Sequence, residues 1–139
     1  YIEALEANGS AIEDGARKIV KAMNVSQQKT VVELVRVFGR DLGFLDIATM
    51  QEIHDHAVAS GLDLLTPEDA VLVRLAYKNQ PCGEYLGMAM KGIEVRVGYV
   101  RVLNVDRGYG RRLSTEDGDP DCQRAVSLEW VFSRRPKVA

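Results

Sequence analysis

Two imidazoles flank a carboxylate in His54-Asp55-His56, the stretch of this sequence closest to metal or acid–base chemistry. A zinc-binding helix sets its histidines four residues apart, on one face. Residues two apart on a helix point about 200° apart around the axis, so this pair cannot close on one ion. The surrounding pattern is helical, which predicts one imidazole against the core and one in water. Either could still join Asp63 or Glu84 in an enzyme site assembled from distant residues, because such sites are recognised by geometry and not by order.

A second candidate is Glu116-Asp117-Gly118-Asp119-Pro120-Asp121. Hard cations accept converging oxygens, so Asp117, Asp119 and Asp121 raise the question of Ca²⁺ or Mg²⁺. A calcium loop starting at Asp117 needs Gly at its sixth position and Glu at its twelfth. Cys122 and Leu128 stand there instead. A solvated acidic turn is the preferred reading, and no metal site is expected.

Arg107-Gly108-Tyr109-Gly110-Arg111-Arg112 combines guanidinium groups, glycines and one aromatic ring. Such a loop could track a phosphate backbone and stack Tyr109 on a base. From Lys91 to Arg112 there is a local surplus of four positive charges. The acidic run that follows could cancel it within the same loop. Gly-x-Gly here does not lead from a strand into a helix, so it is no dinucleotide fingerprint. Arg107, Tyr109, Arg111 and Arg112 are the candidate binding residues, with Tyr85 as a fifth. Tyr77 and Tyr85 bracket Gln80-Pro81-Cys82-Gly83, a junction where a cleft is expected. Trp130, Tyr99 and Phe132 fall on strand parity, where aromatic residues are core more often than pocket.

Cys82 and Cys122 are the only cysteines and form no C-x-x-C pair, so zinc and thioredoxin chemistry have no support. Two reduced thiols are expected. The sequence contains no P-loop and no Gly-x-Ser-x-Gly elbow. It points to no catalytic residue and no cofactor.

The elements that position these residues follow from periodicity. Ser10 and Glu13 read as a capping box before a helix carrying Ile12, Ala16, Ile19, Val20 and Met23. The few residues before Gly9 suit a short helical turn. Ser26 caps a second expected helix, with Val31, Leu34, Val35, Phe38 and Leu42 on one face. The rival reading there is a strand, because Thr30-Val31-Val32 and Val35-Arg36-Val37 are rich in β-branched residues. Asp46 opens a third expected helix, ended by Gly61. Thr66-Pro67-Glu68-Asp69 opens the fourth with an N-cap, a proline at the first position and two acids.

Beyond Pro81 the pattern changes. Tyr85–Met90 alternates in part, and Ile93, Val95, Val97 and Tyr99 alternate with polar residues. The phase slips after Gly98, which a bulge near Gly98 would explain; a strand buried on both faces there is the alternative. Residues 106–124 read as a loop. Val126, Leu128, Trp130 and Phe132 then give a clean strand, ended by Pro136. Two long strands joined by a long loop predict an antiparallel pair.

The expected architecture is therefore α+β: a helical bundle over about residues 1–80, then a small antiparallel meander of three or more strands over about 84–135. One domain covering 1–139 is expected, because so small a meander is barely stable alone. The 139 residues, 46% of them hydrophobic and 27% charged, suit a globular chain. A net charge of −2 favours no polyanionic partner in bulk. No signal peptide or membrane span is visible, so a soluble, cytoplasmic protein without a membrane partner is expected. Tyr1 stands where an initiating Met would, which suggests a fragment of a larger protein.

These readings favour a non-catalytic protein-interaction or adaptor module of a larger intracellular protein. Its partner would be another protein or another domain of its parent chain, bound at the β unit and the 107–121 loop. A nucleic-acid-binding module is the alternative, with a winged-helix-like bundle and a basic hairpin at 107–112 as its wing. An enzyme is the third reading.

Overall fold

The computed structural model describes residues 1–27 and 31–135. In chain order come α1 (Ile2–Ala7), β1 (Ala11–Ile12), α2 (Asp14–Ala22), β2 (Glu33–Phe38), a 3-10 turn (Gly39–Leu42) and β3 (Ile47–Thr49). Next are α3 (Met50–Ala59), α4 (Pro67–Ala76), β4 (Tyr85–Met88) and β5 (Ile93–Arg96). β6 (Tyr99–Arg107), β7 (Arg111–Asp117), β8 (Gln123–Ala125) and β9 (Glu129–Arg134) complete the fold.

A seven-stranded mixed sheet organises the chain in the order β1-β7-β6-β4-β9-β2, with β5 paired to the start of β6. The β4–β9 and β1–β7 pairs are parallel, and the others are antiparallel. β3 and β8 form a separate antiparallel pair.

Register assigns the two faces, since directly paired residues share one. Leu86, Met88, Leu103, Val105, Leu113 and Val131 lie on one side, under α2 and α4. Gly87, Asn104, Asp106, Ser114, Trp130 and Phe132 lie on the other. There His54 of α3 meets Trp130 and Phe132 edge-on, at 5.4 and 6.1 Å between ring centroids. Buried apolar residues from Leu5 to Phe132 form one cluster around the sheet.

This architecture corrects the expected bundle and meander. The helices are short and interleaved with strands, and the sheet is large and mixed. The second expected helix fails because Val35 and Val37 occupy alternate positions facing Phe132 and Trp130, so the β-branched signal prevails over the helical stripe. Its stretch Gln28–Thr30 lies outside the described residues, as does Pro136 with the tail. Ser10 and Glu13 form no capping box; Glu13 itself stands at the N-cap position of α2, without a side-chain cap bond. Ala11 and Ile12 pair with Arg112 and Leu113, and the Ser10 hydroxyl turns to Asn8. α3 starts three residues later than expected, where Thr49 and Glu52 form a reciprocal cap at 3.1 and 3.0 Å. Gly98 is a hairpin turn at φ +74°, and the irregularity falls between Glu94 and Arg96. The expected loop 106–124 holds the end of β6, all of β7 and the start of β8. The expected pairing of 93–105 with 125–133 does not form, because β4 lies between β6 and β9.

The fourth helix forms as its sequence dictates. The Thr66 hydroxyl accepts from the Asp69 amide at 3.2 Å, the Asp69 carboxylate accepts from the Thr66 amide at 2.8 Å, and Pro67 opens α4. No helix among the described residues is long and apolar enough to cross a membrane.

Candidate functional site

The arginines at the β6–β7 turn are tied to the chain itself. Arg107 and Arg111 oppose each other at the last rung of the ladder, where like charges repel. They use different acceptors. Arg107 donates to the Gln80 carbonyl at 2.7 Å, and Arg111 donates to the Asn8 carbonyl. Arg112 pairs with Asp106 at 2.9 Å on the opposite face of the sheet.

Beneath them lies Arg74, fully buried and in no ion pair among the described residues. It donates to the Gln80 side chain at 2.7 Å and to the carbonyls of Asp106, Arg112 and Tyr77 at 3.0, 3.1 and 2.6 Å. Burial, then repulsion from Arg111, lowers its pKa to about 10. Tyr109 stands fully exposed at the tip. The acidic run does not neutralise these arginines. Glu116 pairs with Arg124 at 3.4 Å, and the Asp117 and Asp119 carboxylates accept the amides of Asp119 and Asp121.

Tyr85 lies elsewhere, in a polar row across β4, β6 and β7. Its hydroxyl donates to the Glu116 carboxylate and touches the Asn104 side-chain amide. Asp106 accepts from Ser114 and Arg112 in the same row. Burial, then the Glu116 carboxylate, pushes the Tyr85 phenol above its ordinary range, so it is no ready base. Beside it opens a cleft of about 530 Å³ lined in part by Phe38, Glu84, Glu116, Arg124 and Glu129. Its carboxylates are already paired. Arg36 forks onto Glu129 at 2.8 Å through both contacts and reaches Glu84 at 2.9 Å. Burial pushes the Glu84 carboxyl up, but hydrogen bonds from Tyr77 and Arg36 outweigh it and hold the group below its ordinary value.

His54 faces the core and His56 the solvent, the division that their spacing predicts. Burial pushes His54 down to about 4. Among the described residues, no group of three or more His, Cys, Asp and Glu side chains is placed to hold a metal ion. Both cysteines are free thiols.

One surface carries main-chain groups that no strand pairs among the described residues. β2 ends the sheet, with β9 on its inner side and no strand outside it among the described residues. Gly39 donates to the Leu128 carbonyl at 3.2 Å, continuing the β2–β9 register. Hydrogen-bonded rungs alternate along an antiparallel ladder. Val37, Val35 and Glu33 therefore bond to β9, while Phe38, Arg36 and Leu34 turn their amides and carbonyls outward. The Phe38 amide is met by the Asp41 carboxylate at 3.0 Å. Next to this edge, a groove of about 290 Å³ runs between β2 and α4, lined mainly by Leu34, Val73, Ala76, Leu86 and Val131. Val31 is 88% exposed and Leu34 44%, beside exposed Leu72.

The structure thus separates the five candidate residues. Arg107 and Arg111 sit at the turn with Tyr109 beyond them, whereas Arg112 joins Tyr85 in the polar row on the opposite face. Sequence reasoning passed over Leu34 and Arg36, although the β-branched run around them was the available signal. No protein-family model, curated protein or solved structure matches this chain.

Proposed function

We propose that this chain is a non-catalytic protein-interaction module whose contact surface is the outer edge of β2 with the apolar groove beside it. The observation that carries the reading is the open rung of main-chain groups at Leu34 and Arg36, flanked by exposed Val31, Leu34 and Leu72. Apolar edge strands of this kind are templates for an added strand, and exposed folds usually blunt them. Arg36 is no such device here, because Glu129 and Glu84 already neutralise it.

The 107–121 segment is a poorer contact surface than its composition suggests. Its centre is β7, which lies between β1 and β6, and deleting it would remove an inner strand. Arg107, Arg111 and Arg112 each have an in-chain acceptor, which takes support from the nucleic-acid reading.

A photoreactive side chain tests the reading. Placed at position 34 in the intact chain, it should give protein adducts in extracts of the source cell. Placed at Val97, 98% exposed at the β5–β6 turn, it should not. Equal labelling from both positions, or none from either, would overturn the assignment.

A further inference from the structure

The edge of β2 matches itself, and this names a partner. Building on the contact surface assigned above, we propose that the edge pairs antiparallel with β2 of a second copy about a two-fold axis through Val35.

Hydrogen bonding comes first. The free groups lie on Leu34 and Arg36, symmetrically about Val35. A two-fold axis perpendicular to the sheet keeps each face continuous across both copies. With the axis at Val35, Leu34 exchanges both main-chain bonds with Arg36 of the other copy, and Arg36 with Leu34. Moving the axis to Arg36 would set two guanidinium groups opposite each other. It would also need the Phe38 amide, which Asp41 already holds. Moving it to Leu34 would draw on Val32, outside the strand.

Side chains agree with that register. On the α3 side Val35 meets its own copy, a β-branched pair suited to a pleated surface. On the α4 side Val32 meets Phe38, and Leu34 lies along the stem of Arg36. Glu33 and Arg36 are the only charged residues of β2. Glu33 pairs with Arg134 at 3.3 Å, and Arg36 pairs with Glu129 and Glu84. Association would therefore bury no unpaired charge and would bring no like charges face to face. Leu34 and the neighbouring groove extend the apolar strip beyond the ladder. A foreign strand could also take the open rung, but it would not account for this self-matching pattern.

Sedimentation velocity over a wide concentration range reads the result. The wild-type chain should pass reversibly from monomer to dimer as concentration rises. Leu34→Lys should weaken the dimer about tenfold or more, since each interface contains the change twice. Val97→Lys should leave it unchanged. Register is read separately with Val35→Cys in a Cys82→Ser background. The Val35 rung is a non-hydrogen-bonded pair with Cα atoms about 4.5 Å apart, within disulfide reach. Oxidised glutathione should link that variant into a covalent dimer, and a cysteine at position 33 or 37 should link far less. A chain that stays monomeric at millimolar concentration, a dimer indifferent to Leu34→Lys, or no register preference would overturn the proposal. A monomeric chain that still labels a different protein from position 34 would overturn self-pairing alone and leave the wider reading standing.

Discussion

Replacing His54 by Phe should make the protein more resistant to acid, by an amount set by the burial of one imidazole. His54 is 5% exposed, against Trp130 and Phe132, and its Nε2 has no hydrogen-bond partner. Burial pushes its pKa from 6.5 to about 4, and the nearby Asp55 offsets only part of that. The unfolded chain therefore takes up this proton before the folded chain does. Stability from a neutral His54 is fully present above pH 6.5 and is lost as pH falls through that value toward 4. At 1.36 kcal/mol per unit, the loss is roughly 3 kcal/mol. Phe resembles the ring in shape, cannot titrate, and leaves no buried acceptor unmatched, so at neutral pH the variant should lie within about 1.5 kcal/mol of wild type. Urea unfolding at fixed ionic strength, repeated between neutral pH and pH 4, gives both curves. Their difference should open by roughly 3 kcal/mol as pH falls and should level off above 6.5. Parallel curves across that window would refute the reasoning. They would mean that His54 is solvated in the folded state.

Other groups give equally direct expectations. Arg74→Leu should cost about 3 kcal/mol or more in urea unfolding, because the carbonyls of Tyr77, Asp106 and Arg112 lose their buried donor. Arg74→Lys should recover only part of that, since one ammonium cannot span the same acceptors. Gly92→Ala should destabilise by about 1–3 kcal/mol, because its Cβ would lie 2.6 Å from the Gly118 carbonyl oxygen, a main-chain atom that cannot swing aside. Tyr85 should be the last tyrosine to ionise in an ultraviolet pH titration, given the cause of its raised pKa. Tyr85→Phe should cost about 1–2 kcal/mol and remove that late phase from the titration.

How much of this was legible depended on whether the determining interactions are local. α4 was readable because Thr66, Pro67 and Asp69 act on their own backbone, within one turn. The opposed directions of His54 and His56 were readable because they follow from helix geometry alone. β2 was not, because Val31, Leu34, Val35 and Phe38 satisfy a helical stripe while Val35 and Val37 satisfy an alternating one. The choice was made by Phe132 and Trp130, nearly a hundred residues away. β7 was hidden for a different reason. Arg112, Ser114 and Glu116 look like loop residues, yet Asp106, Arg124 and Tyr85 meet them across neighbouring elements. Parallel pairing of β4 with β9 left no local trace. Of the candidate site residues, Tyr85 was singled out by its place beside a helix–strand junction; the cleft beside it is walled by Glu116, Arg124 and Glu129 and not by Tyr77 or residues 80–83. The arginines were found by charge alone, which did not reveal their in-chain acceptors.

The polar row shows how side chains that resemble reaction machinery can be absorbed by strand pairing. Asn104, Asp106 and Ser114 are almost wholly buried, and with Tyr85 and Arg112 they satisfy one another across three strands. A slip of one residue in β6 would bring Leu103 and Val105 onto this face and leave Tyr85, Ser114 and Arg112 without their partners. An apolar row would tolerate such a slip far better, because hydrophobic contacts have little directional preference. The row thus fixes the register of the inner strands through hydrogen bonds that only one alignment can make. The outer edge of β2 differs in kind. Its inner rung is set by β9, while its outer rung at Leu34 and Arg36 faces outward with no strand paired to it among the described residues. Polarity that is already satisfied belongs to the architecture of this protein, and polarity left open at an apolar edge is where a partner would act.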